Sequence, residues 1–599
     1  MTLVYEYGCL TYGRRHGVHA QGLDKLYSVL RARNEMWNRL VEIEKRYDRL
    51  RLMLRDRYVL LAMSPQLLRE YKAVCDAINF YRESIRDERR RARGDVRFPP
   101  AMLADLEQLK KRRATLRNRI KQAPQKLPSE LQEEYKERKK RLEARFNWHV
   151  KKVVDDFKGP DPGGVFKDRL WWPNRDDVLR NEFKNARDSV IRKRKDGMRA
   201  ALKFHRFDGT GKVTVRLRER GSAGPWDMPV ENIFTPNPVC WVEPVSPLAW
   251  THPVRAVRRR AAQTNLHFRV GTDTNGNPVW VIMPMVMHRP LPEGGKITQV
   301  SLIVRRVGSR YCYKVAFTVE VPDQHAAHDI RRGGETVAVD LAWRKIGDRI
   351  RTASVLYESG RFTELWLPGK VLWELNKVKE LQSLRDQHFN EAKKVLAEFL
   401  KGNQELPQWL RDGTGGLAQW RSPCYLIALL QRWADNRFSG DERVYGWLSD
   451  WLKREQHLYD WQCNLRDQAL RHRREVYRVF AKRLAERCVT VVVEDFDLRR
   501  VARKPEPERG PAASTEADYQ RFVVSPSELR QCLTHACGRL GTEVKPVDPR
   551  DTTRRCHRCG HINETNGELE YHCVKCGLKC DRDYNACKNL LQAFERSAA

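Results

Sequence analysis

Two Cys-x-x-Cys-Gly segments, Cys556-His557-Arg558-Cys559-Gly560 and Cys573-Val574-Lys575-Cys576-Gly577, restrict this chain more than any other feature. With residues 560–572 spanning the gap, four thiolates can reach one tetrahedral zinc ion. A glycine after each pair permits the tight turn that aims backbone N–H groups at sulfur. The surrounding stretch is polar, so four unliganded thiols would have no apolar core to fill. Cys556, Cys559, Cys573 and Cys576 are therefore read as zinc ligands, with His557, His561 and His572 as alternative donors. A four-thiolate site has no open coordination position, so the zinc is structural and any chemistry must lie elsewhere.

The charge balance points to the partner. Against 77 Asp and Glu stand 113 Lys and Arg, a net charge of +36 over 599 residues. Such an excess repels itself in a folded chain and is most simply understood as stored attraction for phosphates. A ribosome- or chromatin-associated protein without chemistry would carry the same excess. Hydrophobic residues make up 41% of the chain, enough for several modest cores and domains, which excludes disorder of the whole. With 35 Gly and 29 Pro, the composition is also far from low complexity. No stretch approaches the ~20 apolar residues of a membrane span, and MTLVYEYGCL lacks a charged leader before an apolar run. The 15 cysteines, an odd number scattered outside the one cluster, suit a reducing cytoplasm better than a disulfide framework. A soluble, intracellular protein is expected.

Periodicity divides the chain. Leu23, Leu26, Leu30, Trp37, Leu40, Tyr47, Leu50 and Leu54 form one stripe of a long helix. Leu106, Leu109, Leu116 and Ile120 repeat the pattern, with Arg and Lys filling other faces in 86–97 and 110–121. Near residue 200 the period becomes two. An Asp208-Gly209 turn precedes Val213, Val215 and Leu217, which alternate with Lys212, Thr214, Arg216 and Arg218, giving a half-buried strand with a basic outer face. An Asn275-Gly276 turn and the alternation from Tyr311 to Val321 extend this into an antiparallel sheet or small barrel over about 200–322. The apolar strand 335–343 carries Asp340, and the strand 488–498 carries Glu494. Between them lies a largely helical stretch whose last helix bears Arg471, Arg473, Arg474, Arg478 and Lys482. The Pro- and Ala-rich segment 503–517 reads as a mobile loop.

Asp340, Glu494 and Asp583, the last in Asp581-Arg582-Asp583-Tyr584-Asn585-Ala586, lie at strand ends or at a helix start. Each alone is ordinary as a cap or a salt-bridge partner. Brought together in a partly desolvated place they would repel unless cations sat between them, and two Mg²⁺ ions so held can cleave a phosphodiester.

The order strand–Asp, strand–Glu-Asp, CxxCG, CxxCG, DRDxNAxxN resembles the split RuvC-like nuclease with an inserted zinc ribbon. That arrangement occurs in transposon-encoded guide-dependent nucleases and in type V CRISPR effectors. The resemblance covers about residues 300–595 in pieces, and its combination of motifs is specific although each piece is weak. It implies a multidomain α+β protein. A wedge N-terminal strand would occupy 1–14, a helical recognition lobe 15–180 and a β-barrel wedge domain 181–330. The split RuvC-like domain, an RNase H fold, would occupy 331–368, 488–550 and 581–599. A helical insertion with a basic bridging helix would fill 369–487, a mobile loop 500–520 and the zinc ribbon 551–580. It further implies that Asp340, Glu494 and Asp583 are the catalytic, Mg²⁺-binding acids and that Asp581 caps the adjoining helix. The partners would be a guide CRISPR RNA and a double-stranded DNA target with a T-rich motif 5′ of it, bound by a monomeric ribonucleoprotein in a bacterial cytoplasm. Lys203, Arg206, Lys212, Arg216, Arg471, Arg474 and Arg478 are the candidate nucleic-acid contacts.

One departure bears on activity. The family pattern is Gly-Ile-Asp-x-Gly, whereas this chain has Ala338-Val339-Asp340-Leu341-Ala342 followed by Trp343-Arg344. Loss of glycine narrows the approach of backbone to phosphate, and Arg344 would compete with a second Mg²⁺. The chain looks most like the type V-M branch, whose members bind guided targets firmly without efficient cutting. The resemblance then implies antiviral silencing by R-loop formation, with the RuvC-like site kept for trimming precursor guide RNA. The alternatives are an active endonuclease that makes staggered breaks and a ribonucleoprotein scaffold in which the acids are structural.

Overall fold

The computed structural model describes residues 2–598 apart from 14–17, 63–64, 92–99, 123–127, 196–197, 199, 218–227, 322–333, 404, 496–510, 549 and 565–568. The first apolar stripe forms a 40-residue helix, Leu23–Ala62. Leu26, Leu30, Trp37, Leu40 and Tyr47 are buried along it, with Leu23 and Leu50 at the margin. Phe146 and Val153 of the helix Ser129–Asp156 join the same core. The helices Pro65–Arg91 and Pro100–Gln122 share a separate small cluster of Val74, Ile78, Leu106 and Leu116. Part of the basic run 86–97 lies outside the described residues. Helical structure continues beyond residue 180, to Lys195.

The antiparallel region contains β1 (Thr2–Cys9), β2 (Tyr12–Gly13), β3 (Val18–His19), β4 (Gly211–Arg216), β5 (Met228–Pro229), β6 (Cys240–Val242), β7 (Gln263–Thr272), β8 (Pro278–Val286), β9 (Lys296–Val307) and β10 (Arg310–Glu320). All but β2 and β3, which pair with each other, form an eight-stranded sheet of order β4-β9-β10-β1-β8-β7-β6, with β5 also on β9. The expected β-barrel is thus corrected to an open sheet, since among the described residues no pairing joins β4 to β6. The reason is packing: Val213, Val215, Val300, Leu302 and Phe317 share one core with Leu26, Leu30 and Met36 of the first helix. The sheet buries its inner face against a helix, so closing on itself is unnecessary. In β4 the alternation holds for Val213, Val215 and Leu217, and Lys212 and Arg216 are exposed. Thr214, expected outside, is buried with its Oγ1 2.9 Å from Ser301 Oγ. Arg218 lies outside the described residues.

The second sheet contains β11 (Glu335–Ile346), β12 (Arg349–Tyr357), β13 (Phe362–Trp366), β14 (Cys488–Glu494) and β15 (Glu543–Val547), in the order β13-β12-β11-β14-β15. β11, β14 and β15 run parallel, whereas β12 pairs antiparallel with both β11 and β13. Helices cover both faces, as buried parallel strands require. On one side Val337, Val339, Val491 and Val493 meet Tyr477, Ala481 and Leu484 of the long helix Glu442–Arg487, together with Leu529 and Leu533 of the helix Pro526–Leu540. On the other, Ala338, Leu356 and Val492 meet Cys587, Leu590 and Leu591 of the C-terminal helix Arg582–Ala598. A two-stranded ribbon, β16 (Glu570–His572) with β17 (Lys579–Asp581), precedes that helix. Between β13 and β14 an aromatic cluster including Trp433, Trp451 and Phe389 organises the helices Gly369–Gly402 and Pro423–Asp435 around the start of the long helix.

The loop expected over 500–520 needs correction: Pro511–Val524 is a helix, and only 496–510 lie outside the described residues. Proline is accommodated in a first helical turn, and Ala512, Ala513, Glu516 and Ala517 are helix-compatible, so the Pro-rich composition marks the start of an element.

Leu533 is 1% exposed between the long helix and the sheet. Leu533→Ala should cost about 2–5 kcal/mol, read as a lower melting temperature, and an unchanged melt would contradict this packing.

Candidate functional site

Strand parity decides where the acids go. Val337 and Val339 face the long helix, so Ala338 and Asp340 face the C-terminal helix. The same alternation in β14 puts Val492 and Glu494 on that side. β11 and β14 run parallel with Val339 opposite Val493, which brings the two acids to the same end of adjacent strands. Asp583 stands in the first turn of the C-terminal helix, and Asp581 caps it by accepting N–H groups from Asp583 at 2.8 Å and Tyr584 at 3.2 Å.

Asp340 and Asp583 are 5% and 4% exposed. Burial, then the carboxylates of Glu494 and Asp583, push Asp340 well above its ordinary range, while Arg582 and Arg344 pull the other way. Glu494 is raised chiefly by burial, with Asp583 adding to it and a hydrogen bond from Thr552 Oγ1 at 3.2 Å and the charge of Arg530 opposing. The three acids thus share an electrostatic environment. They do not converge on one ion-sized point, because among the described residues only the four cysteines bring three or more ligand atoms within 4.8 Å of one another. Oxygens about 2.1 Å from a single Mg²⁺ lie no more than about 4.2 Å apart.

Asp583 is instead held by Arg351. Arg351 Nη1 donates to Asp583 Oδ2 at 2.9 Å and to both Asp581 oxygens at 3.0 and 3.1 Å, and Nη2 pairs with Glu364 on β13. Sequence reasoning missed Arg351. Simple alternation would put it on the face of Ala353 and Val355, but the β12–β13 register shifts between Arg351 and Ala353, and such an irregularity re-aims a side chain. The available signal was the inner of two arginines, Arg349 and Arg351, in a strand whose remaining residues are buried, since a buried guanidinium needs an anionic partner. Arg582 and Thr552 were also missed. Trp343 packs with Ile350, Leu367 and Val371, so the charge pressing on the acids comes from Arg344 and Arg582.

The four expected cysteines do converge. Sγ atoms of Cys556 and Cys576 lie 3.6 Å apart, and those of Cys559 and Cys573 3.5 Å apart. A tetrahedral zinc with bonds of about 2.3 Å sets sulfurs about 3.8 Å apart, so the quartet fits that ion. Gly560 and Gly577 both have positive φ, 73° and 70°, and each returns its N–H to the first cysteine carbonyl of its pair at 2.9 Å. The histidines serve otherwise: His557 N–H donates to Asn585 Oδ1 at 3.0 Å, and the His561 carbonyl accepts from Cys556 N–H. Asn585 and Asn589, one turn apart, both donate to the Arg555 carbonyl, and Asn589 also to that of Thr552. This explains the asparagine spacing in DRDxNAxxN: it fastens the ribbon to the helix that carries Asp583.

Lys203, Arg206, Lys212, Arg216, Arg471, Arg474 and Arg478 are all exposed. Lys203 and Arg206 flank Phe204, which is 52% exposed beneath the Lys45 ammonium, a combination of cation and open aromatic face suited to nucleic acid. Arg471 and Arg474 are partly neutralised by Asp467 at 2.9 Å and Glu528 at 2.6 Å. Arg473, also on this helix, is buried and structural, bonding Glu528 and the Val523 carbonyl. Among the described residues no helix is long and apolar enough to cross a membrane.

Replacing Cys573 and Cys576 with serine should reduce bound zinc from one equivalent to none by atomic emission. Retained zinc would exclude the quartet. Because folding raises the Asp340 pKa, the metal-free fold is favoured below the ordinary value of 3.8 and loses that advantage as pH rises through the raised value. Asp340→Asn should therefore raise the metal-free melting temperature at pH 8 and give no gain below about pH 4.

A family model described as Cas12f1-like, TNB domain, matches residues 527–590. The CRISPR-associated DNA-binding protein Cas12m of Thermanaerosceptrum fracticalcis is 40% identical over 425 residues, 70% of this chain and 69% of that protein. Its namesake in Allomeiothermus silvanus is 38% identical over 348 residues, 58% of this chain and 64% of that protein. The one in Mycolicibacterium mucogenicum is 27% identical over 458 residues, covering 71% and 74%. With the four-cysteine ribbon and the ordered acids behind it, this similarity identifies the chain as a member of the Cas12m family of type V CRISPR effectors.

Proposed function

We propose that the chain is a guide-RNA-dependent effector that holds a matched double-stranded DNA target as an R-loop beside a short T-rich motif and silences it by occupancy, with DNA cutting weak or absent. Its relatives are named DNA-binding proteins, and its +36 charge supplies phosphate affinity without sequence preference. In such an effector, sequence is read by guide pairing, and protein contacts to the backbone tip a nearly balanced strand exchange toward the bound state. The exposed group around Phe204, with Lys203 and Arg206, and the exposed Arg478 are the contacts this reading uses first.

The observation that favours holding over cutting is the arginine bonded to Asp583. Arg351 is bonded to Asp583, while Arg344 and Arg582 act on Asp340. Asp340 and Glu494 are the residues that would hold Mg²⁺; burial above all, and after it neighbouring carboxylates, raises both pKa values, and a bound cation would relieve that cost. A bound ion would activate water and stabilise a leaving oxygen. In this reading, Thr552 and Arg530 orient and partly neutralise Glu494, while Asp581 fixes the helix turn that presents Asp583. The residual site serves to trim precursor guide RNA. Retention of all three acids on one side of the sheet favours the second reading, an active RuvC-type endonuclease making staggered breaks.

The purified chain with a programmed guide should retain matched plasmid at stoichiometric protein and leave it supercoiled in Mg²⁺. Linear product at a small enzyme excess would replace this reading with the second. Lys203→Ala with Arg206→Ala should weaken target retention several-fold for every sequence and lower the salt-dependence slope by about 2, measured by filter binding between 50 and 200 mM salt.

A further inference from the structure

Arg351 is placed as a resident cation among the acids. Its guanidinium spans three carboxylates from two directions, Asp583 and Asp581 through Nη1 and Glu364 through Nη2, and it is 4% exposed. Trp366 lies beneath it, 5.5 Å from the guanidinium carbon to the ring centroid. Its Nε is buried without a hydrogen-bond partner. A buried donor left unmade is costly, so the orientation is set by the carboxylates on the two terminal nitrogens rather than by satisfaction of the whole group. Asp583 therefore has its charge met from within the fold, whereas Asp340 and Glu494, on the same side of the sheet, are raised chiefly by burial and then by neighbouring carboxylates.

We propose that Arg351 is a positioning residue that holds Asp583 away from a divalent cation and thereby limits the affinity of the acid cluster for such ions. The inference rests on the reading of Asp340, Glu494 and Asp583 as ion-binding acids. An ion that engages Asp583 must displace the guanidinium from it, and the two positive charges repel while both remain. The arrangement acts as a brake on metal loading: the acids stay available, but one of them is committed to the protein.

The test compares wild type, Arg351→Gln, Arg351→Lys and Asp340→Asn, each as the full chain with guide RNA, by titrating Mn²⁺ and following free Mn²⁺ by electron paramagnetic resonance. Arg351→Gln should tighten the cluster's Mn²⁺ affinity about tenfold or more, and Arg351→Lys, which keeps the charge, should bind as wild type does. Without divalent ions Arg351→Gln should melt below wild type, and saturating Mg²⁺ should raise its melting temperature by more than it raises that of wild type. Unchanged or weaker Mn²⁺ binding by folded Arg351→Gln, or tightening by Arg351→Lys equal to that of Arg351→Gln, overturns the inference. Should Arg351→Gln fail to fold, Arg351→Gln with Glu364→Gln is compared with Glu364→Gln alone. Tightening is again expected, and its absence overturns the inference. If Asp340→Asn binds Mn²⁺ as wild type does, the reading of the acids as an ion site fails, independently of Arg351.

Discussion

The burial of carboxylates beneath a helix is the constraint around which the acid site is arranged. The five-stranded sheet must bury both faces, and the C-terminal helix covers one of them through Cys587, Leu590 and Leu591. That cover takes Asp340 and Asp583 out of water along with the valines beside them. Isolated buried carboxylates are expensive, and the chain compensates in two ways: arginines supplied from β12 and from the helix itself, and carboxyl groups whose proton affinity rises. The site is thus a compromise between packing and charge, and its chemistry depends on how far that compromise can be undone.

The long helix Glu442–Arg487 connects this constraint to the rest of the molecule. Near its middle Asp467 takes a bidentate pair from Arg305 on β9, at 2.8 and 3.2 Å, while nearly three turns further on Tyr477 packs under the second sheet and bonds the Val524 carbonyl. Arg473 ties the same helix to Glu528. One rigid rod therefore touches both sheets. The ribbon is joined to the acids just as directly, since Asn585 and Asn589 fasten it to the helix whose first turn holds Asp583.

Much of this was legible in the chain itself, for particular reasons. The zinc ribbon could be read because thiolate geometry leaves few spacings that work. The first helix could be read because Leu26 to Tyr47 repeat at 3.6, and Asp340 and Glu494 stood out as charges ending apolar runs. What escaped depends on long-range register. Arg351 reaches Asp583 where β12 slips in register against both β11 and β13, and nothing in R-I-R-T-A-S announces that slip. The pattern left open a sheet or a small barrel because alternation fixes which face of a strand is buried and not whether the row of strands closes; the first helix settled that by lying across the face. The 511–524 helix escaped because proline, which ends helices elsewhere, also begins them.

One feature of the first sheet sets the order of assembly. β1 sits between β10 and β8, with Thr2 opposite Glu320 and Gly8 opposite Val286. β1 thus belongs in the interior of the row, yet both of its neighbours follow it by about 270 to 310 residues along the chain. Until they pair with it, its hydrogen-bonding edges have no native mates, and the first helix lacks most of the surface it will cover. Pairing of β1 with both neighbours is therefore a non-local closure, of the kind that slows folding because the entropy of a long loop is spent before the contacts form.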